Sequence, residues 1–76
     1  MKVWVLIIEG DNFEPTPSVH LSEEGAKSQL LQFVSEYWDE EMGDRVQPED
    51  PMQAIDQYFN ASEDEYWWIH ECEVLP

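Results

Sequence analysis

The sequence predicts an α+β fold in which a small three-stranded antiparallel sheet carries two helices on one face, in the order β-β-α-α-β. The chain opens and closes on short runs that are rich in β-branched and aromatic residues. Between these runs lie two apolar patterns of helical period. With 76 residues, no internal repeat and no low-complexity tract, the elements are expected to form a single acidic domain, residues 1–76.

The first strand is predicted over Val3 to Ile8, an apolar run that ends at the turn composition of Glu9 to Asn12. Because side chains alternate along a strand, both faces of this run are apolar, which is typical of a central strand. A short second strand is predicted over Ser18 to Leu21. Pro15 and Pro17 argue against a longer strand, since each would remove a hydrogen-bond donor from it.

Two helices are predicted between the strands. The first begins after Ser22, a good N-cap, and ends near Gly43, which can adopt the left-handed C-terminal conformation. The second begins after Asp50, with a proline at its first position and Gln53 placed to reach back to the cap. The predicted apolar stripes are Ala26, Leu30, Phe33, Val34 and Tyr37 in the first helix, and Met52, Ile55 and Phe59 in the second.

The last strand is predicted over Tyr66 to Val74. Alternation divides its side chains into one face with Trp68, His70, Cys72 and Val74 and another with Trp67, Ile69, Glu71 and Glu73. Two interpretations of the second face stay open. Either Trp67 and Ile69 form an exposed apolar contact within an acidic rim, or Trp67 packs against Trp4 in the core.

One face of the predicted sheet has no helix to cover it. Two helices cover only one side of a small three-stranded sheet, yet both faces of the first strand are apolar. The second face therefore requires another cover. A partner protein or a second copy of the chain is the simplest candidate.

Acidic residues dominate the composition. The chain has 18 Asp and Glu against 3 Lys and Arg, a formal net charge of -15, so we expect it to repel nucleic acid. Chains of such charge are often disordered, but here 42% of the residues are hydrophobic and 13% are aromatic. This apolar content favours a folded domain.

The placement of the acids is more informative than their number. Outward positions in the middle of the first helix are uncharged, whereas Glu36 and residues 39–41 crowd its last turns. The C-terminal end of a helix is already partly negative, so this arrangement lowers stability and marks a candidate functional surface. Glu36 and Glu40 have the i, i+4 spacing of about 5–6 Å, which is close to that of successive phosphates on a nucleic-acid strand.

The sequence offers little support for a metal site, a cofactor or catalysis. His70 and Cys72 share a strand face, with His20 as a distant third, but a zinc site requires about four ligands. The acidic segments lack the spacing of a calcium-binding EF-hand loop. With three glycines there is no phosphate-binding loop, and no Ser/His or Cys/His pair has an orienting acid. We expect no metal, no cofactor and no enzymatic activity.

A single cysteine, Cys72, excludes a disulfide within the chain and is typical of a reducing compartment. The apolar start ends at Glu9 without a cleavage site for a signal peptidase. No run of residues approaches the roughly 18 apolar residues of a membrane span. A cytoplasmic location without membrane contact is therefore expected.

Four segments carry a resemblance to a known group of proteins. They are residues 2–9, 19–26, 37–41 and 48–51, with the sequences KVWVLIIE, VHLSEEGA, YWDEE and PEDP. In these segments the chain resembles small acidic proteins of phages and mobile elements. In size, charge and mixed α/β build it is also similar to phage inhibitors that imitate DNA, which include anti-CRISPR, anti-restriction and uracil-DNA glycosylase inhibitor proteins. The resemblance implies that the chain acts in the cytoplasm of a host cell.

Two functional hypotheses of different classes follow. In the first, the chain is a DNA mimic that blocks the nucleic-acid groove of a host DNA-binding defence or repair protein. Its candidate partner-binding residues are Glu36, Asp39, Glu40, Glu41, Asp44, Glu49 and Asp50, with Glu63, Asp64, Glu65, Glu71 and Glu73 as a second rim and Trp67 and Ile69 as apolar contacts. In the second, the chain is a structural or accessory phage protein that forms a homodimer through its uncovered sheet face, and its acidity only confers solubility. An acidic regulator of a basic RNA-binding protein would present the same charge to the same kind of groove.

The net charge of -15 predicts that salt stabilises the protein, because the folded state brings the carboxylates closer together than the unfolded state does. Raising NaCl from about 0.01 M to about 1 M shortens the Debye length from about 30 Å to about 3 Å. Thermal melts followed by tryptophan fluorescence at constant pH should therefore show a rising Tm. A Tm that does not change would show that charge repulsion has no measurable effect on stability.

Overall fold

A computed structural model of the chain describes residues 1–10, 13–62 and 64–75. Its elements are β1 (Lys2–Gly10), β2 (Phe13–His20), α1 (Glu23–Met42), α2 (Pro51–Ala61) and β3 (Glu65–Glu73). The strands form one antiparallel sheet in the order β2-β1-β3. The predicted α+β fold, its element order and the central position of the first strand are confirmed.

The register of the sheet determines which residues share a face. Leu6 lies opposite Ile69 of β3, and the next residue, Ile7, lies opposite Trp68. Leu6 is 1% exposed and belongs to the core formed with the helices, whereas Trp68 is exposed. The even-numbered residues of β1 therefore face the helices, and its odd-numbered residues belong to the uncovered face.

Strand β2 is longer than predicted, because it begins at Phe13 and includes both Pro15 and Pro17. The reason is its position at the edge of the sheet. An edge strand accepts proline wherever its backbone nitrogen points away from the neighbouring strand. Pro17 lies opposite Ile7, and Pro15 lies at the register shift between the Ile8–Thr16 and Gly10–Phe13 pairs. Prolines on an edge also disfavour pairing with a further strand.

Both ends of α1 lie where the sequence predicts them. The hydroxyl of Ser22 accepts a hydrogen bond from the backbone N–H of Gly25 at 3.0 Å, which caps the helix at its start. Gly43 ends it with a positive φ of 64°. The buried stripe follows a regular i, i+4 spacing and consists of Ala26, Leu30, Val34, Trp38 and Met42.

Two residues of the predicted stripes are exposed, and the core includes four helical residues that the stripes lacked: Trp38, Met42, Ala54 and Tyr58. Tyr37 is 39% exposed, and its neighbour Trp38 is buried instead. The indole Nε1 of Trp38 donates a hydrogen bond to the backbone carbonyl of Arg45 at 2.7 Å, which holds the following loop against the helix. In α2, Met52 is 38% exposed, and Tyr58 is buried.

Helix α2 packs mainly on α1. As predicted, Asp50 is its N-cap, and its carboxylate accepts a hydrogen bond from the backbone N–H of Gln53 at 3.2 Å. Phe33 of α1 meets the ring of Tyr58 edge-on, with centroids 5.9 Å apart. Aromatic contacts of this kind join the two helices into one core.

The replacement Trp38→Phe tests this account of the core. It removes the indole hydrogen bond to the Arg45 carbonyl and leaves a small cavity, so the free energy of unfolding should fall by about 2–4 kcal/mol. The matched control Trp68→Phe, on the uncovered face, should cost less than about 1 kcal/mol. Urea denaturation of both variants measures the difference. Equal losses would contradict the assignment of Trp38 to the core.

Candidate acidic interface

The two ends of the molecule differ in charge. At one end of the molecule β1 begins and β3 ends, because Lys2 lies opposite Glu73. Helix α1 begins at the same end, because it follows His20, which lies opposite Trp4 of β1. The ion pairs found among the described residues all lie at this end. They join the Met1 amino group to Glu73 at 3.1 Å, Lys2 to Glu71 at 3.0 Å, and Lys27 to Glu23 at 2.8 Å.

The opposite end carries carboxylates without such partners. The seven predicted residues there are exposed, and within the described parts of the chain none of them is in an ion pair. Helix α1 has no basic residue in its last turn, so the negative end of its dipole adds to their charge. We refer to these seven residues as the acidic ridge: Glu36, Asp39, Glu40, Glu41, Asp44, Glu49 and Asp50.

The loop that carries the second half of the acidic ridge lies along α1. The Arg45 carbonyl accepts the hydrogen bond from Trp38, and Gln47 donates one to the hydroxyl of Ser35 at 2.9 Å. Both contacts fold the loop back toward the helix. Asp50 differs from the other ridge residues, because its carboxylate also caps α2.

The predicted second rim is divided between the two ends. Asp64 and Glu65, where β3 begins, lie close enough to Glu41 to influence its ionisation. Glu71 and Glu73 lie at the opposite end of β3, where each is in an ion pair. Glu63 lies outside the described residues. Of the rim residues that the structure describes, Asp64 and Glu65 lie at the acidic ridge, and Glu71 and Glu73 do not.

Trp67 and Ile69 lie on the face that the helices cover. Both side chains are half-buried and pack against the core, and the ring of Trp67 is 6.5 Å from that of Phe59. The expectation of an exposed apolar contact at these residues is therefore wrong. The physical reason is the strand register, which places Trp67 opposite the buried Ile8. Trp4 and Trp67 both pack against the core, and the ring contact of Trp67 is with Phe59.

The aromatic residues of β3 that do reach solvent lie on the uncovered face. Tyr66 is 59% exposed and Trp68 is 38% exposed. On β2, Val19 of the same face is 66% exposed. Among the described side chains of this face, the one carboxylate is that of Glu9. The surface is thus apolar and nearly uncharged, although the chain as a whole is strongly acidic.

The structure also contains a groove that sequence reasoning missed. It lies between α1 and β2, and its volume is about 710 Å³. Its carboxylates come from both α1 and β3, which are distant in sequence, so no local pattern predicts it. We refer to it as the acidic groove. Its floor includes Leu6, Ile8, Phe33 and Tyr58, and its carboxylates are Glu36, Glu40, Glu41 and Glu65.

Two groups of the acidic groove have perturbed ionisation. Partial desolvation raises the pKa of the Glu41 carboxyl above its usual range, and the charges of Glu65 and Asp64 raise it further. Burial, followed by a side-chain hydrogen bond with Glu65 and the nearby negative charges, raises the pKa of the Tyr58 phenol. Tyr58 therefore stays protonated at physiological pH.

The described residues include no group of three or more His, Cys, Asp or Glu side chains that could hold a metal ion. Within the same residues, no helix combines the length and the apolar character needed to cross a membrane. Ser18 and His20 are hydrogen-bonded at 2.8 Å on β2. Cys72 is a free, exposed thiol.

Comparison of the chain with protein-family models, curated proteins and solved structures finds no match.

The raised pKa of Glu41 leads to a pH-dependent prediction. Folding disfavours the ionised carboxylate, so Glu41→Gln should raise the Tm at pH 7. The gain should shrink as the pH falls through the folded-state pKa, and it should vanish below about pH 4, where the carboxyl is protonated in both states.

Glu24→Gln is the matched control for this prediction. Glu24 lies in the first turn of α1, where the helix dipole favours a carboxylate, so its replacement should not raise the Tm. Melts of both variants between pH 4 and pH 8 make the comparison. A gain for Glu41→Gln that is absent at pH 7, or that grows in acid, would contradict the account.

Proposed function

We propose that the chain is a DNA-mimic inhibitor that acts in the cytoplasm of a host cell. It binds the nucleic-acid groove of a basic host protein with a defence or repair role and competes with DNA for that groove. The observation that supports this proposal is the concentration of unpaired carboxylates at one end of the molecule. No catalytic step is part of the proposal.

Solubility alone does not explain where the acids lie. A solubilising charge works at any exposed position, and Ser28, Gln32 and Ser35 of α1 are exposed but uncharged. The acids are instead concentrated at the C-terminal end of the helix, where the helix dipole and mutual repulsion make them costly. Binding of a partner protein to these acids would explain why they lie where they lower stability.

The acidic ridge presents an array of negative charges to a basic groove, as DNA does. Glu36 and Glu40 lie on one helix at the i, i+4 spacing, which places their Cβ atoms about 5–6 Å apart on the same side. A negative array of this kind steers a positively charged partner toward it and gains affinity as the charges are paired. Such binding weakens steeply with salt.

A second candidate function is a homodimeric structural or accessory protein of a phage. The uncovered sheet face favours it, because Val19, Tyr66 and Trp68 form an exposed apolar surface that a second copy could bury. A dimer of this kind would persist in high salt, since its contact is apolar. In that case the acidity would serve solubility only.

A capture experiment with two matched variants tests the proposal. The bait is the tagged chain, and the lysate comes from a candidate bacterial host. The ridge variant carries Asp39→Asn, Asp44→Asn and Glu49→Gln. The control variant carries Glu24→Gln, Glu71→Gln and Glu73→Gln at the opposite end of the molecule. Both variants lose the same three charges.

The wild-type chain should retain a nucleic-acid-binding protein at low salt and release it when duplex DNA is added. The ridge variant should bind that protein at least about tenfold more weakly, whereas the control variant should bind it nearly as well as the wild type. A captured protein that duplex DNA does not release would overturn the proposal. An equal loss of binding in the ridge variant and the control variant would overturn it as well. A dimer that persists in high salt with no host protein retained would favour the second candidate.

A further inference from the structure

We propose that the free edge of β3 binds an extended basic segment of a partner protein, which adds to the sheet as a fourth strand. This surface is distinct from the acidic ridge, and the proposal does not rest on DNA mimicry. The protein that supplies the strand need not be the one that binds the acidic ridge.

The hydrogen bonds of the sheet determine which backbone groups of β3 point outward. The backbone N–H of Val74 donates to the carbonyl of Met1 at 2.8 Å, one step beyond the opposed residues Lys2 and Glu73. Hydrogen-bonded and non-hydrogen-bonded pairs alternate along an antiparallel ladder. The even-numbered residues of β3 are therefore bonded to β1, and the N–H and C=O groups of its odd-numbered residues point away from the sheet. These residues are Glu65, Trp67, Ile69, Glu71 and Glu73.

This outer row has no hydrogen-bond partner in the described part of the chain. The strand β3 is at the end of the order β2-β1-β3, so it pairs with β1 on its inner side only. Backbone hydrogen bonds outside the helices and the sheet ladders involve none of the five residues, and no side chain donates to their carbonyls. An unpaired row of alternating donors and acceptors is a template for another extended chain.

The two edges of the sheet differ in how they are protected. On β2, Pro17 lies opposite Ile7, an odd-numbered residue of β1 whose backbone is bonded to β3. The nitrogen of Pro17 therefore points to the outer edge of β2, where its ring obstructs a further strand. By contrast, β3 has no proline over its nine residues, and its aromatic and β-branched run, residues 66–69, favours strand pairing. The chain thus blocks one edge of its sheet and leaves the other open.

The charges along β3 favour a basic strand over a second copy of the chain. Glu65 lies at the start of β3, and Glu71 and Glu73 lie at its end, whereas residues 66–70 carry no carboxylate. Antiparallel pairing of two β3 strands over their whole length would place Glu65 opposite Glu73 of the other copy, and like charges in that arrangement are destabilising. Lysine or arginine at those positions would instead form opposite-charge pairs. The ion pairs of Glu71 and Glu73 use Oε1 of each side chain, so each Oε2 can accept from a further cation.

The two faces of β3 define the sequence pattern of the added strand. One face of that strand would lie beside Tyr66, Trp68, His70 and Cys72, on the uncovered side of the sheet, where apolar β-branched residues pair well. Its other face would lie beside the odd-numbered residues, which carry carboxylates at both ends of β3. The geometry therefore selects a segment in which apolar residues alternate with polar ones and the polar positions near its ends are basic.

A synthetic peptide of this pattern tests the proposal by NMR. The probe is a capped nine-residue peptide in which valine alternates with three lysines and two threonines. In antiparallel pairing the lysines lie opposite Glu65, Glu71 and Glu73, and the threonines lie opposite Trp67 and Ile69.

Titration of the probe into the ¹⁵N-labelled chain should give saturable shifts in β3. The amide protons of Trp67, Ile69 and Glu71 should exchange with deuterated solvent at least about tenfold more slowly in the complex, because they become hydrogen-bonded. A control peptide with glutamate in place of lysine should not bind. Absence of saturable binding, or shifts confined to the acidic ridge, would overturn the proposal.

Two methylated peptides of equal charge and mass separate strand pairing from simple attraction between charges. In antiparallel pairing the threonine nitrogens of the probe face β3, and its valine nitrogens face away. N-methylation of both threonines should weaken binding at least about tenfold, whereas N-methylation of two valines should change it little. Equal affinity of the two methylated peptides would overturn the proposal.

A matched pair of variants locates the edge on the chain itself. Glu71→Pro and Glu71→Gln remove the same charge, but only the proline removes an outward N–H, and it leaves the hydrogen bonds to β1 in place. Glu71→Pro should bind the probe at least about fivefold more weakly than Glu71→Gln, which should stay within about twofold of the wild type. Equal affinity in the two variants would overturn the proposal. The methylated peptides use the wild-type chain and remain decisive if Glu71→Pro does not fold.

The oligomeric state of the chain alone tests the other possible occupant of this edge. The wild-type chain should not dimerise through β3. A dimer that Glu71→Pro converts to a monomer would show that a second copy occupies the edge, and the assignment to a basic strand would be wrong.

The outcome can be separated from that of the proposed function. If the probe does not bind but a host protein is still displaced by DNA, the assignment of the β3 edge is wrong and DNA mimicry stands. If the probe binds as expected but no captured protein responds to DNA, the edge assignment stands and DNA mimicry is wrong.

Discussion

The structure depends on the burial of one side of α1. Its buried stripe, from Ala26 to Met42, lies against the sheet and α2, and this contact sets the rotation of the helix. Ser22 and Gly43 set where the helix begins and ends. Once rotation and length are set, the acids of the last turns must project beside the start of β3. The acidic ridge and the acidic groove are therefore both consequences of how this helix packs.

The molecule presents two surfaces of opposite character. Its Cα atoms span 48 × 27 × 16 Å, which fits a single helical layer on a single sheet. The acidic ridge lies at one end, around the C-terminal turns of α1, whereas Val19, Tyr66 and Trp68 are exposed on the far side of the sheet. A contact through one surface would leave much of the other accessible. The proposed DNA mimicry and the alternative homodimer would thus be distinguished by which surface a partner occupies.

Features that depend on neighbouring residues in the chain could be predicted from the sequence. The caps at Ser22 and Asp50 are of this kind, as is the apolar run of β1 that marks it as central. Features that depend on the position of another helix or strand could not be predicted from the sequence. The length of β2 required knowing that it is an edge strand, and the half-burial of Trp67 required knowing its register with β1. The acidic groove required the meeting of Glu41 and Glu65, which come from different elements.

In the proposed DNA mimic the position of the carboxylates matters, and not only their number. A variant with Asp39→Asn, Glu40→Gln, Ser28→Glu and Gln32→Glu keeps the net charge of -15 and moves two charges along α1, away from its C-terminal end. The most direct measurement is the amount of DNA-displaceable host protein that this variant retains, relative to the wild-type chain at the same salt concentration. Retention should be largely lost although the net charge is unchanged. Undiminished retention would show that the overall charge is sufficient and that the acidic ridge has no special role in binding.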